Sequence, residues 1–199
     1  IEAAGADRVV FLDLHAPQIQ GFFRVPVDDL YAMPVFCQAI RAKDLQDLVV
    51  VSPDVGFAKK ARRYATALGA PLAIADKERT DHGERAEVLE VIGHVDGKTA
   101  VVVDDFSISG GTLCEVADEL VARGARAVHV AVTHGVFARG AMARIGQSPI
   151  ASILMTDSVE GRPEPLSDKI HVISVAPLFA EAIRRIHARE SISVLFSDP

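Results

Sequence analysis

A segment near the middle of the chain carries residue types that bind an anion beside a sugar. Asp104 and Asp105 follow an apolar run, and a short loop then leads into a segment with helical periodicity. Glycines let backbone N–H groups approach an anion, and a helix N-terminus adds partial positive charge. The segment predicts a phosphomonoester cradle, its carboxylates accepting hydrogen bonds from sugar hydroxyls or holding a divalent cation; a plain helix cap is the alternative. The loop residues are Ile108, Ser109, Gly110, Gly111 and Thr112.

A second candidate is the run of nine residues from Lys77 to Arg85, which contains no apolar side chain. Such a run cannot pack into a core, so it predicts a mobile surface loop. One interpretation is a solvated hairpin tip. The other is a lid that brings Lys77 and Arg79 over a transferring phosphoryl group, where positive charge stabilises the developing negative charge. The basic residues after Asp54 are interpreted mainly as a solvated helix face: Lys59, Lys60, Arg62 and Arg63.

A third candidate pairs His15 with Asp54, because each follows an apolar run. A histidine nitrogen and carboxylate oxygens suit a Mg²⁺ ion that keeps several waters and takes few protein ligands. A single histidine is more often structural, and that interpretation applies to His94, His129, His171 and His187. The roles of His82 and His134 stay open.

The elements that would position these residues follow from the alternation of two patterns along the chain. Short apolar runs without two-residue alternation are typical of strands buried on both faces, and helix-period segments separate them. This alternation predicts an α/β fold with a doubly wound, mostly parallel sheet, whose strand ends bring the polar residues to one edge. Segment 86–93 fits helix or strand, and we favour strand. The predicted strands are 9–12, 48–51, 72–74, 100–103, 127–132, 153–155 and 170–175; the predicted helices are 34–43, 57–69, 113–123, 139–145 and 177–189.

Composition excludes several classes of protein. With 49% hydrophobic and 24% charged residues the chain is not intrinsically disordered, and a net charge of −6 argues against a nucleic-acid partner. No apolar run reaches the roughly 18 residues that span a bilayer, so no membrane partner is expected. Cys37 and Cys114 stand apart from other metal ligands and predict reduced core thiols of a cytoplasmic protein. The start at Ile1 resembles the last turn of a helix capped by Gly5, which predicts a fragment of a longer protein.

Several blocks of sequence together resemble one enzyme family. They are DLHAPQIQGFF at 13–23, SPD at 52–54, DK at 76–77, VDD at 103–105 with GGTL at 110–113, THGVF at 133–137, SVAPL at 174–178 and ESISVLF at 190–196. In this order they resemble the ribose-phosphate pyrophosphokinases, which make phosphoribosyl pyrophosphate. The first block is highly specific, whereas the Asp-Asp loop is shared with phosphoribosyltransferases generally.

The resemblance implies a phosphoribosyltransferase-type fold and ribose-phosphate diphosphokinase activity. This activity transfers the diphosphoryl group of ATP to the 1-hydroxyl of ribose 5-phosphate, with Mg²⁺ as cofactor and a homo-oligomer as the working form. Residues 1–30 would be the tail of a preceding domain that supplies much of the ATP adenine site, and 31–199 the second domain. The roles implied are catalysis for Lys77 and Arg79, metal binding for His15 and Asp54, and ribose 5-phosphate binding for Arg79, Asp104, Asp105, Ile108, Ser109, Gly110, Gly111 and Thr112.

The chain departs from the family pattern at two places. Ile108 and Ser109 stand where the family has aspartate and threonine, and Ser107 occupies a usually apolar position. Glu78 replaces a basic residue in a loop that is one residue longer. Because isoleucine cannot replace a carboxylate, the alternative is a catalytically weak or silent homologue that associates with or regulates active subunits. A phosphoribosyltransferase that consumes phosphoribosyl pyrophosphate is a third, weaker hypothesis.

Overall fold

The computed structural model describes residues 1–78, 88–161 and 165–196. Within these residues a seven-stranded sheet forms the centre, and a two-stranded sheet lies in the first 30 residues. The strands are β1 (Val9–Leu12), β2 (Val27–Leu30), β3 (Leu48–Ser52), β4 (Leu72–Glu78), β5 (Val88–Ile92), β6 (Thr99–Ser107), β7 (Ala127–Gly135), β8 (Ile150–Thr156) and β9 (Ile170–Ile173).

The strand order of the large sheet is β5-β4-β3-β6-β7-β8-β9. Its pairs are parallel except β4 with β5, which is antiparallel. β1 and β2 also pair in parallel. The predicted α/β fold with a mostly parallel sheet is therefore confirmed, and the favoured strand in segment 86–93 is present over 88–92.

In the described ranges, five α-helices cover the large sheet on both faces, which explains why its strands are continuous apolar runs. Val49 and Val51 face one buried cluster with α3 and α4, while Val50 faces a second with α1, α2 and α5, since alternate side chains of a strand point to opposite faces. The helices are α1 (Met33–Ala42), α2 (Ala58–Leu68), α3 (Gly111–Ala122), α4 (Ala141–Gln147) and α5 (Ala176–His187).

Three parts of the observed fold differ from the prediction. β2 was not expected, because Asp28 and Asp29 interrupt its apolar residues. β6 continues four residues beyond the predicted end at Val103, so Asp104 and Asp105 lie inside the strand and not after it. The turn before Gly5 is a 3-10 helix, Glu2–Ala4, which ends at Gly5 with a left-handed φ of 91°.

Two further predictions concern features outside the site. Within the part of the chain that the structure describes, Cys37 and Cys114 are both buried and form no disulfide, as expected of core thiols. No helix in the described ranges has the length and apolar character needed to cross a membrane.

Candidate active site

A cavity of about 490 Å³ lies where β3 and β6 end at the edge of the large sheet. In a parallel sheet this edge is where ligands bind, because loops and helix N-termini converge there. The structure brings nine of the predicted site residues together around this cavity: His15, Asp54, Asp104, Asp105, Ile108, Ser109, Gly110, Gly111 and Thr112. Phe57, Lys60 and Phe106 complete much of the remaining wall.

Of the two residues predicted to be catalytic, the structure describes only the backbone of Lys77. Lys77 lies in β4, where its backbone pairs with Leu89 of β5. The predicted lid over 77–85 begins with Lys77 and Glu78 in β4, and its other residues, Arg79 and His82 among them, lie outside the described residues. Their proposed contact with a phosphoryl group stays a prediction.

The loop before α3 leaves a helix N-terminus open to the cavity. Gly110 is the residue before the helix and adopts a left-handed φ of 70°, a conformation that favours glycine. Its lack of a side chain means that it makes no side-chain cap, although the Gly111 N–H donates to the Ser109 hydroxyl at 3.2 Å. The loop therefore provides only part of the hydrogen bonding that a plain helix cap would provide. The remaining first-turn N–H groups suit an anion.

Asp105 is the more deeply buried of the two carboxylates in β6, with 3% of its surface exposed. It contacts the Lys60 ammonium at 2.9 Å and His15 Nδ1 at 3.2 Å. Asp104 accepts a hydrogen bond from the Asp105 N–H at 2.9 Å. Burial, and then the negative charge of Asp105, raise the pKa of Asp104 to about 7. Near neutral pH the pair can therefore both accept and donate hydrogen bonds.

His15 sits over β6 with most of its side chain exposed, 72%. Its ring contacts Phe106 edge to face, with centroids 4.7 Å apart. The contact of Nδ1 with Asp105 sets the ring orientation, so Nε2 is the nitrogen left to meet a ligand.

The loop that carries His15 is held by a buried carboxylate two residues earlier. Asp13 has an unusual positive φ of 47° and accepts hydrogen bonds from the Ala32 N–H at 3.0 Å and the Thr133 hydroxyl at 2.7 Å. Burial raises the pKa of Asp13 despite these bonds. The Leu14 N–H donates to Asp29 at 3.0 Å. Asp13 therefore anchors the specific Asp-Leu-His block and does not line the cavity.

Asp54 uses one oxygen to begin α2, because its Oδ1 accepts the Phe57 N–H at 2.7 Å. Its carboxylate also lines the cavity together with His15. No cluster of three or more His, Cys, Asp or Glu side chains suited to a metal occurs in the described part of the chain. An imidazole and a carboxylate on one cavity are groups that suit Mg²⁺ when water and substrate oxygens supply most of its ligands, and the metal role of His15 and Asp54 stays a prediction.

Sequence reasoning missed several residues that shape this site. Lys60, interpreted as part of a solvated face, is turned towards Asp105. The available signal was its spacing, three residues after Phe57 and four before Tyr64, which places it beside the buried face of α2. Arg144 donates to the Ser109 carbonyl at 2.8 Å and steadies the loop. His134, whose role the sequence leaves open, lies with Nε2 2.9 Å from the Leu12 carbonyl and so ties β7 to the end of β1.

Comparison with known proteins gives a family for this fold and site. Residues 81–197 match the family described as phosphoribosyl synthetase-associated domain. The chain belongs to that family. The expected resemblance is thereby confirmed.

This phosphoribosyl synthetase-associated domain has curated relatives of high similarity. It is 49% identical over 198 residues to the ribose-phosphate pyrophosphokinase of Caldanaerobacter subterraneus subsp. tengcongensis, covering 99% of this chain and 62% of the relative. It is 46% identical over 196 residues to that of Halalkalibacterium halodurans, covering 98% and 62%. The chain thus spans less than two thirds of the length of these relatives.

A solved structure supports the same assignment of fold. The phosphoribosylpyrophosphate synthetase from Mycobacterium smegmatis superimposes with a TM-score of 0.86 at 36% sequence identity, covering 94% of this chain and 61% of that one. The large sheet therefore belongs to a fold already seen in that enzyme.

Proposed function

We propose that the polypeptide carrying this domain is a ribose-phosphate diphosphokinase. The observation that carries the proposal is one cavity lined by the loop 108–112, two β6 carboxylates and the pair His15 and Asp54. Two relatives named ribose-phosphate pyrophosphokinase are 46% and 49% identical to the chain over the aligned 196 and 198 residues. In the reaction, the 1-hydroxyl oxygen of ribose 5-phosphate bonds to the β-phosphorus of ATP. The bond between the β-phosphorus and the oxygen that bridges it to the α-phosphorus breaks, AMP leaves with that oxygen, and the hydroxyl proton passes to solvent.

Each group of predicted site residues has a proposed role in this reaction. The backbone N–H groups of the loop from Ile108 to Thr112 bind the 5-phosphate, because the N-terminus of α3 opens onto them. Asp104 and Asp105 accept hydrogen bonds from the ribose hydroxyls. Lys77 and Arg79 bring positive charge to the transferring diphosphoryl group.

His15 and Asp54 are proposed to hold Mg²⁺ together with water and substrate oxygens. When bound, the ion supplies positive charge that offsets the charge of the ATP phosphates. We also propose that residues 1–30 are the tail of a preceding domain, which the separate sheet of β1 and β2 supports, and that 31–199 form the second domain. The proposed working form of the protein is a homo-oligomer in the cytoplasm.

The test follows AMP release by the natural, full-length polypeptide supplied with ribose 5-phosphate and MgATP. Lys77→Ala is expected to lower the rate by about 100-fold or more, as when one group that stabilises transition-state charge is lost. The matched control is Lys43→Ala, an exposed lysine at the end of α1, which should keep the rate. Failure of the unsubstituted protein to release AMP would overturn the proposed function, and an unchanged rate in Lys77→Ala would overturn the catalytic role of Lys77.

A second candidate, a weak or silent homologue that associates with active subunits, is favoured by one observation. Ile108, which stands where the family has an aspartate, lines the cavity and has 54% of its surface exposed. An aspartate would fit there without burying its charge. If the unsubstituted protein is inert and Ile108→Asp restores AMP release, this candidate gains; ready turnover by the unsubstituted protein ends it.

A further inference from the structure

Lys60 differs from the other basic residues of α2 in what its ammonium group contacts. Its Nζ lies 2.9 Å from Asp105 Oδ2 and 3.1 Å from the Leu14 carbonyl oxygen. The ammonium also lies 5.3 Å from the centre of the Phe57 ring. About a quarter of the side chain is exposed, 26%, whereas Lys59 beside it is exposed. The side chain is thus held in one place by three neighbours.

These contacts join three elements at the cavity. Lys60 comes from α2, Asp105 from β6, and Leu14 from the loop that presents His15. Asp105 is almost fully buried, and a buried carboxylate is stable only with charged or hydrogen-bonding partners. Two contacts, from Lys60 and His15, fix where its oxygens lie.

We propose that Lys60 is a positioning residue that orients Asp105 to accept a hydrogen bond from a ribose hydroxyl, and thereby sets the preference for ribose over its deoxy analogues. The inference rests on the proposed function, because it takes ribose 5-phosphate as the ligand. A carboxylate held in one orientation discriminates strongly between sugars that carry the hydroxyl and sugars that lack it, since the buried carboxylate loses one hydrogen-bond partner when the hydroxyl is missing.

A different role for Lys60 is available and makes the proposal testable. Because Lys60 also lines the cavity, its ammonium could bind a substrate phosphate directly. That role would weaken ribose 5-phosphate and its deoxy analogues equally when the lysine is removed. Orientation of Asp105 would instead weaken only the sugars that carry the recognised hydroxyl.

The experiment measures dissociation constants by calorimetry in the natural, full-length protein for ribose 5-phosphate, 2-deoxyribose 5-phosphate and 3-deoxyribose 5-phosphate. At least one deoxy sugar should bind the unsubstituted protein more weakly than ribose 5-phosphate. Lys60→Met is expected to weaken ribose 5-phosphate by about tenfold, as when one charge-assisted hydrogen bond is lost, and to change the binding of that deoxy sugar by less than about twofold. Lys60→Arg should restore most of the difference, and Lys59→Met should leave all three constants unchanged.

A double substitution guards against a folding defect. Lys60→Met leaves a buried carboxylate without its cation, which could unfold the protein, whereas Lys60→Met with Asp105→Asn removes both charges. If Lys60 acts through Asp105, the double variant should bind all three sugars about as tightly as Asp105→Asn alone. An equal further loss of affinity for all three sugars in the double variant would mean that Lys60 acts on the phosphate itself and would overturn the proposal.

The outcomes separate the two proposals. If the unsubstituted protein binds ribose 5-phosphate and releases AMP but Lys60→Met keeps the full preference for ribose, the role of Lys60 is wrong and the proposed function stands. If the unsubstituted protein neither binds ribose 5-phosphate nor releases AMP, both fall.

Discussion

At the scale of single residues, the carboxylate pair of β6 determines the charge of the cavity. Asp105 has the Lys60 ammonium at 2.9 Å, whereas Asp104 has a backbone N–H as its hydrogen-bond partner. Burial and the charge of Asp105 therefore raise the pKa of Asp104 to about 7. A ligand hydroxyl that donates a hydrogen bond, or a cation, would offset the repulsion between the two carboxylates. Binding of such a group at the pair is therefore favoured.

The raised pKa of Asp104 makes stability depend on pH. The folded protein binds the proton more tightly than the unfolded chain, so the stabilising contribution is fully present below 3.8, the ordinary pKa of an aspartate, and is lost as pH rises through about 7. Asp104→Asn should remove this loss, which is at most roughly 4 kcal/mol at 1.4 kcal/mol per pKa unit. The measurement is the free energy of unfolding in urea at about pH 5 and about pH 8, on either side of the raised pKa, with EDTA present.

The control for that experiment is Asp44→Asn, an exposed aspartate outside the site whose positive φ of 48° asparagine also accepts. It should keep the fall in stability between the two pH values. If the Asp104→Asn variant loses as much stability between the two pH values as the unsubstituted protein does, the loss does not come from Asp104.

At the scale of elements, the end of β1 is fastened to β7 by a buried hydrogen bond. The Thr133 hydroxyl donates to Asp13 at 2.7 Å, and Thr133 is 1% exposed. Thr133→Val keeps the shape but leaves the carboxylate short of a donor, so it should lower the free energy of unfolding by about 1–3 kcal/mol. Urea denaturation checks this. Thr66→Val, at an exposed hydroxyl on α2, should cost less than about 0.5 kcal/mol; equal costs would show that the bond to Asp13 adds nothing.

Two glycines near α4 should respond to alanine in opposite directions. At Gly135, at the end of β7, a Cβ atom would lie 2.6 Å from Met155 Sδ and 2.7 Å from the Phe137 ring, so alanine should cost about 1–3 kcal/mol. At Gly146, inside α4, no heavy atom of the described residues lies within 4 Å of that position, apart from its chain neighbours and the backbone of its own helix. Alanine should therefore stabilise by about 0.4–1 kcal/mol. Melting temperatures of the two variants test the pair, and a stabilised Gly135→Ala would show that the sheet packs more loosely than described.

The elements that were predicted from sequence are those with a local hydrophobic pattern. Continuous apolar runs indicate the strands buried on both faces, and helical periodicity indicates the five helices. β2 could not be found this way because Asp28 and Asp29 interrupt the apolar run. These residues form a strand through their pairing with β1, which no local pattern shows. Likewise β6 runs through Asp104, since its backbone continues to pair with β7 opposite Val132.

The same distinction applies within the site. The loop from Ile108 to Thr112 is contiguous, so its spacing indicated a cradle before any fold was known. Lys60 lies 45 residues from Asp105, and the contact exists because α2 packs beside β6. Residues whose role depends on a partner distant in sequence need the fold to reveal them.

At the scale of the whole molecule, the described cavity is built largely by the edge of the seven-stranded sheet. The loop 108–112, both β6 carboxylates, Asp54 and Lys60 all follow β2, while His15 precedes it. The groups proposed to bind a sugar phosphate thus lie together within this chain. The proposed adenine site is assigned to a domain of which residues 1–30 are the tail, so the two substrates should differ in how well the chain alone binds them.

Thermal unfolding of the 199-residue chain tests this division. Ribose 5-phosphate at about 100 times its dissociation constant should stabilise the chain by about 2.7 kcal/mol, or roughly 5–10 °C for a chain of this size. MgATP at the same concentration should raise the melting temperature much less, because the chain offers its phosphates a charged edge but its base no partner among the described residues of the cavity. Ribose without phosphate is the control for the loop and should give no shift. A MgATP shift as large as that of ribose 5-phosphate would place an adenine site within these residues and refute the proposed division.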